Sequence, residues 1–297
     1  TGFNGRCDAI YFCNRYRTPT NDSRYLPDLR NQLTISQSTP EKTMDFDLVV
    51  VGGGIAGCAA SIAAAEQGLK VALIHDRPVL GGNASSEIRV HTLGIYGHFE
   101  RILKMLDTEH YPNGSPRSVD DEAKRHRHME GYSNIHTFLN YRAYDAQTSE
   151  QKVTSVDARH TSTGEQIRFE APYFVDCTGD GWIGFWAGAE FAYGRESSAT
   201  FSEVWEEYGE LWSPDSADNR VLGASVLWRS YEADSVQDFP EVPWAMPVVE
   251  TYAASSGTWH WEMISDTWHQ VNHAEQIRDH MLKAIYGSFY NAKEKPG

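Results

Sequence analysis

The chain has 297 residues, enough for two domains or for one large domain with an inserted cap, and its 40% hydrophobic content allows a substantial core. Lys plus Arg number 26 against 41 Asp plus Glu, a formal net charge of −15. An acidic surface repels phosphate backbones and anionic lipid, so neither nucleic acid nor membrane is expected as the primary partner. No run of 18 apolar residues occurs, and no basic region followed by an apolar stretch follows Thr1, which leaves the compartment undetermined. Cys7, Cys13, Cys58 and Cys177 are too scattered for a disulfide or metal framework, although Cys7 and Cys13 can pair or stay free, and no metal is expected.

Residues 1–43, punctuated by Pro19, Pro27 and Pro40, read as an irregular segment with one short helix at Asp28–Leu33. The run Phe46–Val51 (FDLVVV) is apolar throughout, as a strand buried on both faces requires. A small-residue helix over Ile55–Gln67 ends at Gly68, and Lys70–His75 is a second buried strand. This βαβ opening predicts a parallel sheet. Helices follow at 100–107 and Asp120–Met129, the second with Ser118 and Asp121 as a capping box. In Lys124–His128 the arginines oppose a metal ion, so the segment reads as a solvated helix face despite His126 and His128. Ile135–Tyr144, Val153–His160, Ile167–Glu170 and Tyr173–Asp176 have strand character. Beyond residue 196 short strands, Ala224–Trp228 and Thr258–Met263, mix with aromatic residues before a helix at Ala274–Ile285. The clustered tryptophans read first as core and second as the lining of a ligand pocket.

Gly52, Gly54 and Gly57 form G-x-G-x-x-G between the first buried strand and the helix. In that setting the first glycine makes a tight turn, the second lets backbone approach a diphosphate, and the third lets helix and strand pack closely. The diphosphate sits on the helix N-terminus, at Ile55 and Ala56, where free N–H groups and the dipole favour negative charge. The acidic residue that binds ribose hydroxyls at the end of the second strand is replaced by His75, with Asp76 directly after it, and either can serve.

The stretch Asp47–His91, with Arg77 and the Gly81-Gly82-Asn83 turn inside it, resembles FAD-dependent oxidoreductases of the glutathione reductase-like superfamily, distantly related to fumarate reductase and succinate dehydrogenase flavoproteins. Tyr173–Ser197 resembles that family's second flavin element, a strand ending in a Thr-Gly-Asp turn, and the segment from Trp259 to Phe289 resembles later Trp-Glu and Glu-x-x-Arg-Asp segments. The resemblance implies an α/β fold: a Rossmann-like FAD-binding domain (44–195) with a parallel sheet and a β-meander, then a mixed α+β substrate or cap domain (196–297). It implies FAD as cofactor, held by Gly52, Gly54 and Gly57, by the loop Gly81, Gly82 and Asn83, and by Thr178, Gly179 and Asp180. Ser85 and Ser86 follow that loop and either reach the ribityl chain or cap a helix, and Ala143 lies on the strand whose backbone meets the adenine. Such families close the flavin site with a C-terminal Gly-rich segment. None is found before Gly297, so an excerpted chain, a second chain or homo-oligomer partner completing the site, or an open site all fit.

The flavin carries the electron chemistry, and the protein must supply a base or charge against a small-molecule substrate. Arg89 and His91 follow the flavin loop and are the nearest catalytic candidates, as carboxylate anchor and general base; both can equally be structural. In the second domain Arg229, His260 and Glu262 are candidates. Alternation along Trp259–Glu262 puts His260 and Glu262 on one strand face, as an acid/base pair or as solvated residues over a Trp core.

Overall fold

A computed structural model of the chain describes residues 25, 40, 42–88, 90, 92, 100–109, 117–202, 214–228, 230–263, 265, 267–270 and 272–294. It divides into two compact units, Gln37–Phe191 and a second whose described residues lie, Tyr25 aside, between Ala192 and Glu294. Most of the segment 1–43, with the helix expected at Asp28–Leu33, falls outside the described residues, although Lys42 and Thr43 already belong to a strand.

The first unit runs β1 (Lys42–Asp45), β2 (Leu48–Val51), α1 (Ile55–Glu66), β3 (Val71–His75), α2 (Glu100–Leu106), α3 (Ser118–Glu130), β4 (Ile135–Leu139), β5 (Tyr141–Ser149), β6 (Lys152–His160), β7 (Gln166–Glu170), β8 (Tyr173–Asp176) and α4 (Trp182–Trp186). Strands β4-β3-β2-β8 form a sheet in which every neighbouring pair is parallel. Strands β5, β6 and β7 form an antiparallel meander, and β1 adds to β7 in parallel.

The apolar runs are continuous because both faces of the parallel sheet are covered. Val49, Val51, Ala72 and Ile74 pack with Val156, Ala158, Ile167 and Phe169 of the meander. Leu48, Val50, Val71 and Leu73 pack on the other side with Cys58 and Ile62 of α1, Ile102 and Leu106 of α2, and Met129 of α3. The unit is therefore a three-layer α/β fold: helices, a Rossmann-like parallel sheet, and a meander. Cys58 sits deep in the helical layer, and burial pushes its thiol up to about 12.

Three expectations need correction. The single strand expected over Ile135–Tyr144 is two strands, broken at Asn140, whose φ of 61° turns the chain out of the parallel sheet into the meander. Asparagine tolerates that left-handed conformation better than most residues. The cap position of α3 falls on Arg117, one residue before Ser118, with no capping hydrogen bond from its side chain, and Asp121 accepts the Glu109 N–H at 3.0 Å. Nor is Lys124–His128 a solvated face throughout, because Arg125 is fully buried, alongside Asp121 and Glu122 one turn earlier.

In the second unit β9 (Ala224–Trp228) pairs antiparallel with β10 (Gly257–Met263), and α5 (Met246–Val249) and α6 (Ala274–Glu294) complete its regular structure among the described residues. Helix α6 runs nine residues past the expected Ile285. Its extension has its own packing: Tyr286 and Phe289 meet Phe239, and Gly287 lies so close to Val249 that a Cβ there would overlap the valine side chain at 2.5 Å. Trp261 faces this helix and donates from Nε1 to Ser288 Oγ at 3.0 Å, so it belongs to the core of the unit. No helix among the described residues is long and apolar enough to cross a membrane.

Candidate functional site

The carboxyl ends of β2, β3 and β8, three adjacent strands, carry three short turns, and the strand order reverses at β2, the position where open α/β sheets bind ligands. The turn after β2 is built by its glycines for three different reasons. Gly52 has φ +105°, and a Cβ on it would run into the Cys177 carbonyl on β8's turn. A Cβ on Gly57 would run into the Gly52 carbonyl, which is how α1 packs so close to the strand end. Gly54 differs. Its φ of −68° and ψ of −177° suit any residue, and a Cβ on it would meet nothing nearer than the Gly82 Cα at 3.8 Å. Among the described residues nothing packs into the space at Gly54. It faces the N-terminus of α1, where Ile55 and exposed Ala56 open the helix and the first-turn N–H groups lack intrahelical partners. Such a helix start favours an anion.

The turn after β3 is docked onto the first one. Gly81 bridges Gly54, its N–H donates to the Gly53 carbonyl at 2.9 Å, and Gly82 and Asn83 open a single 3-10 turn with Asn83 exposed. Arg77 and Glu87 clasp the two ends of this loop through paired hydrogen bonds of 2.8 and 2.6 Å. Ser85 is buried, and its hydroxyl accepts the Glu87 N–H at 3.3 Å, whereas the Ser86 N–H donates to Glu122 of α3 at 2.6 Å. The loop is thus shaped by its own side chains and presents the backbone of Gly81–Asn83 to the glycine turn.

His75, at the end of β3, is buried and has both ring nitrogens engaged. Gly53 N–H donates to Nδ1 at 3.0 Å, so Nε2 carries the proton and donates to the Val79 carbonyl at 3.0 Å. Burial, the largest influence, holds His75 below its ordinary pKa of 6.5; the Asp76 carboxylate 3.8 Å from Nδ1 pulls the other way and is outweighed. The ring therefore serves the turn, and Asp76 beside it is exposed. Because the folded pKa is depressed, the unfolded chain takes up the proton first as pH falls, and stability drops in the window below 6.5. We expect the urea midpoint to fall between pH 7 and pH 5, and to fall less in the His75→Gln protein. An equal fall in both would remove His75 from the account.

The third turn, Cys177–Gly181, is held by a residue that the sequence reading passes over. Asp176 accepts from the Thr178 N–H and hydroxyl at 3.0 and 2.7 Å, and from the Ile183 and Gly184 N–H groups at 2.7 and 3.2 Å. It caps α4 and fixes Thr178, whose Oγ1 accepts the Trp182 N–H at 3.1 Å; Gly179 and Asp180 stand exposed at the tip. The signal was an aspartate at a strand end just before a short helix. Ala143 lies on β5, opposite Ala158, at the margin of the meander core. Among the catalytic candidates, Arg89, His91 and Arg229 fall outside the described residues, His260 lies on β10, and Glu262 is exposed on the same strand opposite Ser225.

A parallel sheet with a glycine turn at its carboxyl edge, and a cleared approach to a helix start, defines a dinucleotide-binding protein. The model of the FAD dependent oxidoreductase family matches residues 47–286, the greater part of the chain, and the chain belongs to that family. FAD is its cofactor, and the space at Gly54 fits a diphosphate. The rat mitochondrial glycerol-3-phosphate dehydrogenase is 32% identical over 73 residues, 25% of this chain and 10% of that protein. The fumarate reductase (cytochrome) of Shewanella frigidimarina is 53% identical over 47 residues, 16% of this chain and 8% of that protein. The chain thus aligns with about a tenth of the length of these curated relatives. Among solved structures, a geranylgeranyl bacteriochlorophyll reductase-like protein from Thermoplasma acidophilum overlaps 50% of this chain and 43% of its own, at 19% identity and a TM-score of 0.36. Quinol fumarate reductase of E. coli overlaps 46% and 33%, at 15% identity and a TM-score of 0.34.

Proposed function

We propose that this chain is the flavin-holding part of an FAD-dependent oxidoreductase that moves a hydride equivalent between the flavin and a small, sugar-like organic substrate. The observation that carries the cofactor half of this reading is Gly54, beside which a space lies clear of every described residue. FAD, when bound, supplies the two-electron redox chemistry. Gly52, Gly54 and Gly57 with Gly81, Gly82 and Asn83 hold the diphosphate, Asp76 meets the ribose, and the Thr178–Asp180 turn borders the site. An alcohol that loses a hydride from carbon becomes a carbonyl only if its hydroxyl proton also leaves, so a base is required. His91, a few residues beyond the flavin loop, is assigned that proton, with Arg89 as the anchor for negative charge. His260 and Glu262 are assigned to substrate contact. Support for a polyhydroxylated substrate comes from the second unit, which presents Trp244 at 51% exposure along with exposed Glu262, an aromatic face and an acceptor of the kind sugars use. We read the chain as a member of the glutathione reductase-like superfamily, acting on a small molecule, with a homo-oligomer or a second chain completing the flavin site.

A second reading, reduction of an activated C=C bond, is favoured by one observation: the 47-residue match to a protein named fumarate reductase. Arg89 and Arg229 would then anchor carboxylates.

The test is the visible spectrum of the purified protein, before and after acid denaturation and with added FAD. Flavin bands released into the supernatant are the expected result, and a colourless protein that takes up no FAD would sink the proposal. Anaerobic bleaching by candidate sugars supports the first reading; reoxidation of the reduced flavin by unsaturated acids, without such bleaching, supports the second.

A further inference from the structure

Arg125 lies on α3 and is fully buried. Its Nε donates to the Leu106 carbonyl at 2.7 Å and its Nη2 to Thr108 Oγ1 at 3.1 Å, so the guanidinium is held in one orientation from the end of α2 and the residues after it. The remaining nitrogen, Nη1, is buried without a hydrogen-bond partner among the described residues. Buried polar groups in folded proteins are nearly always satisfied, and a buried cation left incomplete is costly, so an orphan here calls for an explanation. Its direction supplies one. A Cβ on Gly81 would stand 2.8 Å from Nη1 and 3.2 Å from Cζ, the central carbon of the guanidinium, so Nη1 packs against Gly81, the residue that bridges Gly54. The φ of +121° at Gly81 and this contact both require glycine, so the loop is shaped to receive the arginine.

Acidic groups lie around it, at Asp121, Glu122 and Asp107, together with the Cys58 thiol. Two of the carboxylates are engaged elsewhere: Asp121 accepts the Glu109 N–H, and Glu122 accepts the Ser86 N–H. Both carboxylates keep their charge, and the group nearest a Cβ on Gly81 among the described residues is the guanidinium. Burial lowers the Arg125 pKa, yet an arginine starts so high that it stays charged at neutral pH.

We infer that Arg125 is a positioning residue for FAD: it carries a fixed positive charge behind the Gly81–Gly82 turn, and that charge sets the affinity of the turn for the FAD diphosphate. The inference rests on the reading that Gly54 and Gly82 line the diphosphate site. A unit charge less than about 10 Å from a diphosphate, with little water between, changes affinity by roughly tenfold or more.

The experiment measures FAD binding by flavin fluorescence quenching, and thermal melting without FAD, for the 297-residue chain and its Arg125→Met, Arg125→Lys and Gly54→Val variants. The expected result is an FAD Kd at least tenfold weaker in Arg125→Met and within about threefold of the parent in Arg125→Lys, because the charge is restored while the fork is lost. Equal weakening in both variants, tracking equal losses in apo melting temperature, would make the residue structural only and overturn the inference. Parent-like affinity in Arg125→Met would overturn it outright. If the Met variant does not fold, Arg125→Gln takes its place, with a loss of at least tenfold expected and parent-like affinity overturning the inference. Gly54→Val separates the two levels. Parent-like FAD binding in that variant removes the diphosphate site itself, whereas loss in Gly54→Val with none in Arg125→Met removes only the arginine.

Discussion

Gly54→Val is expected to lower FAD affinity by at least about a hundredfold while leaving the fold as stable as before. The two halves of this expectation have separate causes. The backbone at Gly54 is in an extended conformation that valine adopts readily, and the nearest protein atom to a new Cβ is in ordinary contact at 3.8 Å. Replacing glycine where the new residue fits reduces the freedom of the unfolded chain and stabilises by up to about 1 kcal/mol. Gly54 also caps α1, where exchanging glycine for an apolar residue costs up to about 1 kcal/mol, so the net change is close to zero. The valine methyls, in contrast, occupy the space through which a diphosphate reaches the helix start, and a blocked approach cannot be relieved without moving backbone. Isothermal titration with FAD and urea unfolding of the apo protein check both halves. A variant that binds FAD as the parent does would dismiss the site, and one that unfolds would mean that Gly54 is a packing glycine like its neighbours.

The parts of this arrangement that the sequence discloses are the local ones. Strand, glycine spacing, helix and second strand fall within Phe46–His75, and each element announces itself through its own residues: an apolar run wherever a strand is covered on both faces, small side chains wherever a helix lies close. The meander is legible for the same reason, since β6 and β7 are joined by the Thr163-Gly164 turn. What escapes is set by distant partners. Asn140 looks like any strand residue until the sheets it separates are known, and its N–H and carbonyl then prove to bond Arg77 and Thr161. Arg125 carries the side chain least expected in a core, and it is held there by the Leu106 carbonyl and the Thr108 hydroxyl, which accept from it across 19 and 17 residues of sequence. His75 occupies the place of a ribose-binding acid, yet its ring is consumed by Gly53 and Val79, contacts that depend on how the next loop folds back. Asp176 belongs with these: its partners Ile183 and Gly184 lie a short helix away. Each of these residues is polar, and its structural role was not legible because the protein groups that satisfy it lie on other turns and elements.

Gly57→Ala is expected to do the opposite of Gly54→Val, destabilising the apo protein by about 3 kcal/mol or more although the change is a single methyl group. The methyl on Gly57 would overlap the Gly52 carbonyl and approach Gly52 carbon at 3.0 Å, so backbone meets backbone and no side-chain rotation can relieve the contact. Overpacking that a rotamer change can absorb costs about 1–3 kcal/mol, and this contact lies at or beyond the top of that range. Its relief requires α1 to lift off the end of β2. That movement loosens Cys58 and Ile62, both fully buried against Leu73 and Val50, and draws Gly52 away from the Cys177 turn of β8. One methyl group thereby acts on all three strands that carry the site. A loss of 3 kcal/mol corresponds to a melting temperature lower by roughly 6 °C or more for a unit of this size. FAD binding weakens as well, but through the fold, so saturating FAD raises the melting temperature of the variant, as ligand linkage requires. In Gly54→Val, which keeps the fold and loses the ligand, added FAD leaves the melting temperature where it was. The pair of melting curves with and without FAD thus assigns each glycine its role, and identical behaviour of the two variants would mean that the turn has a single function.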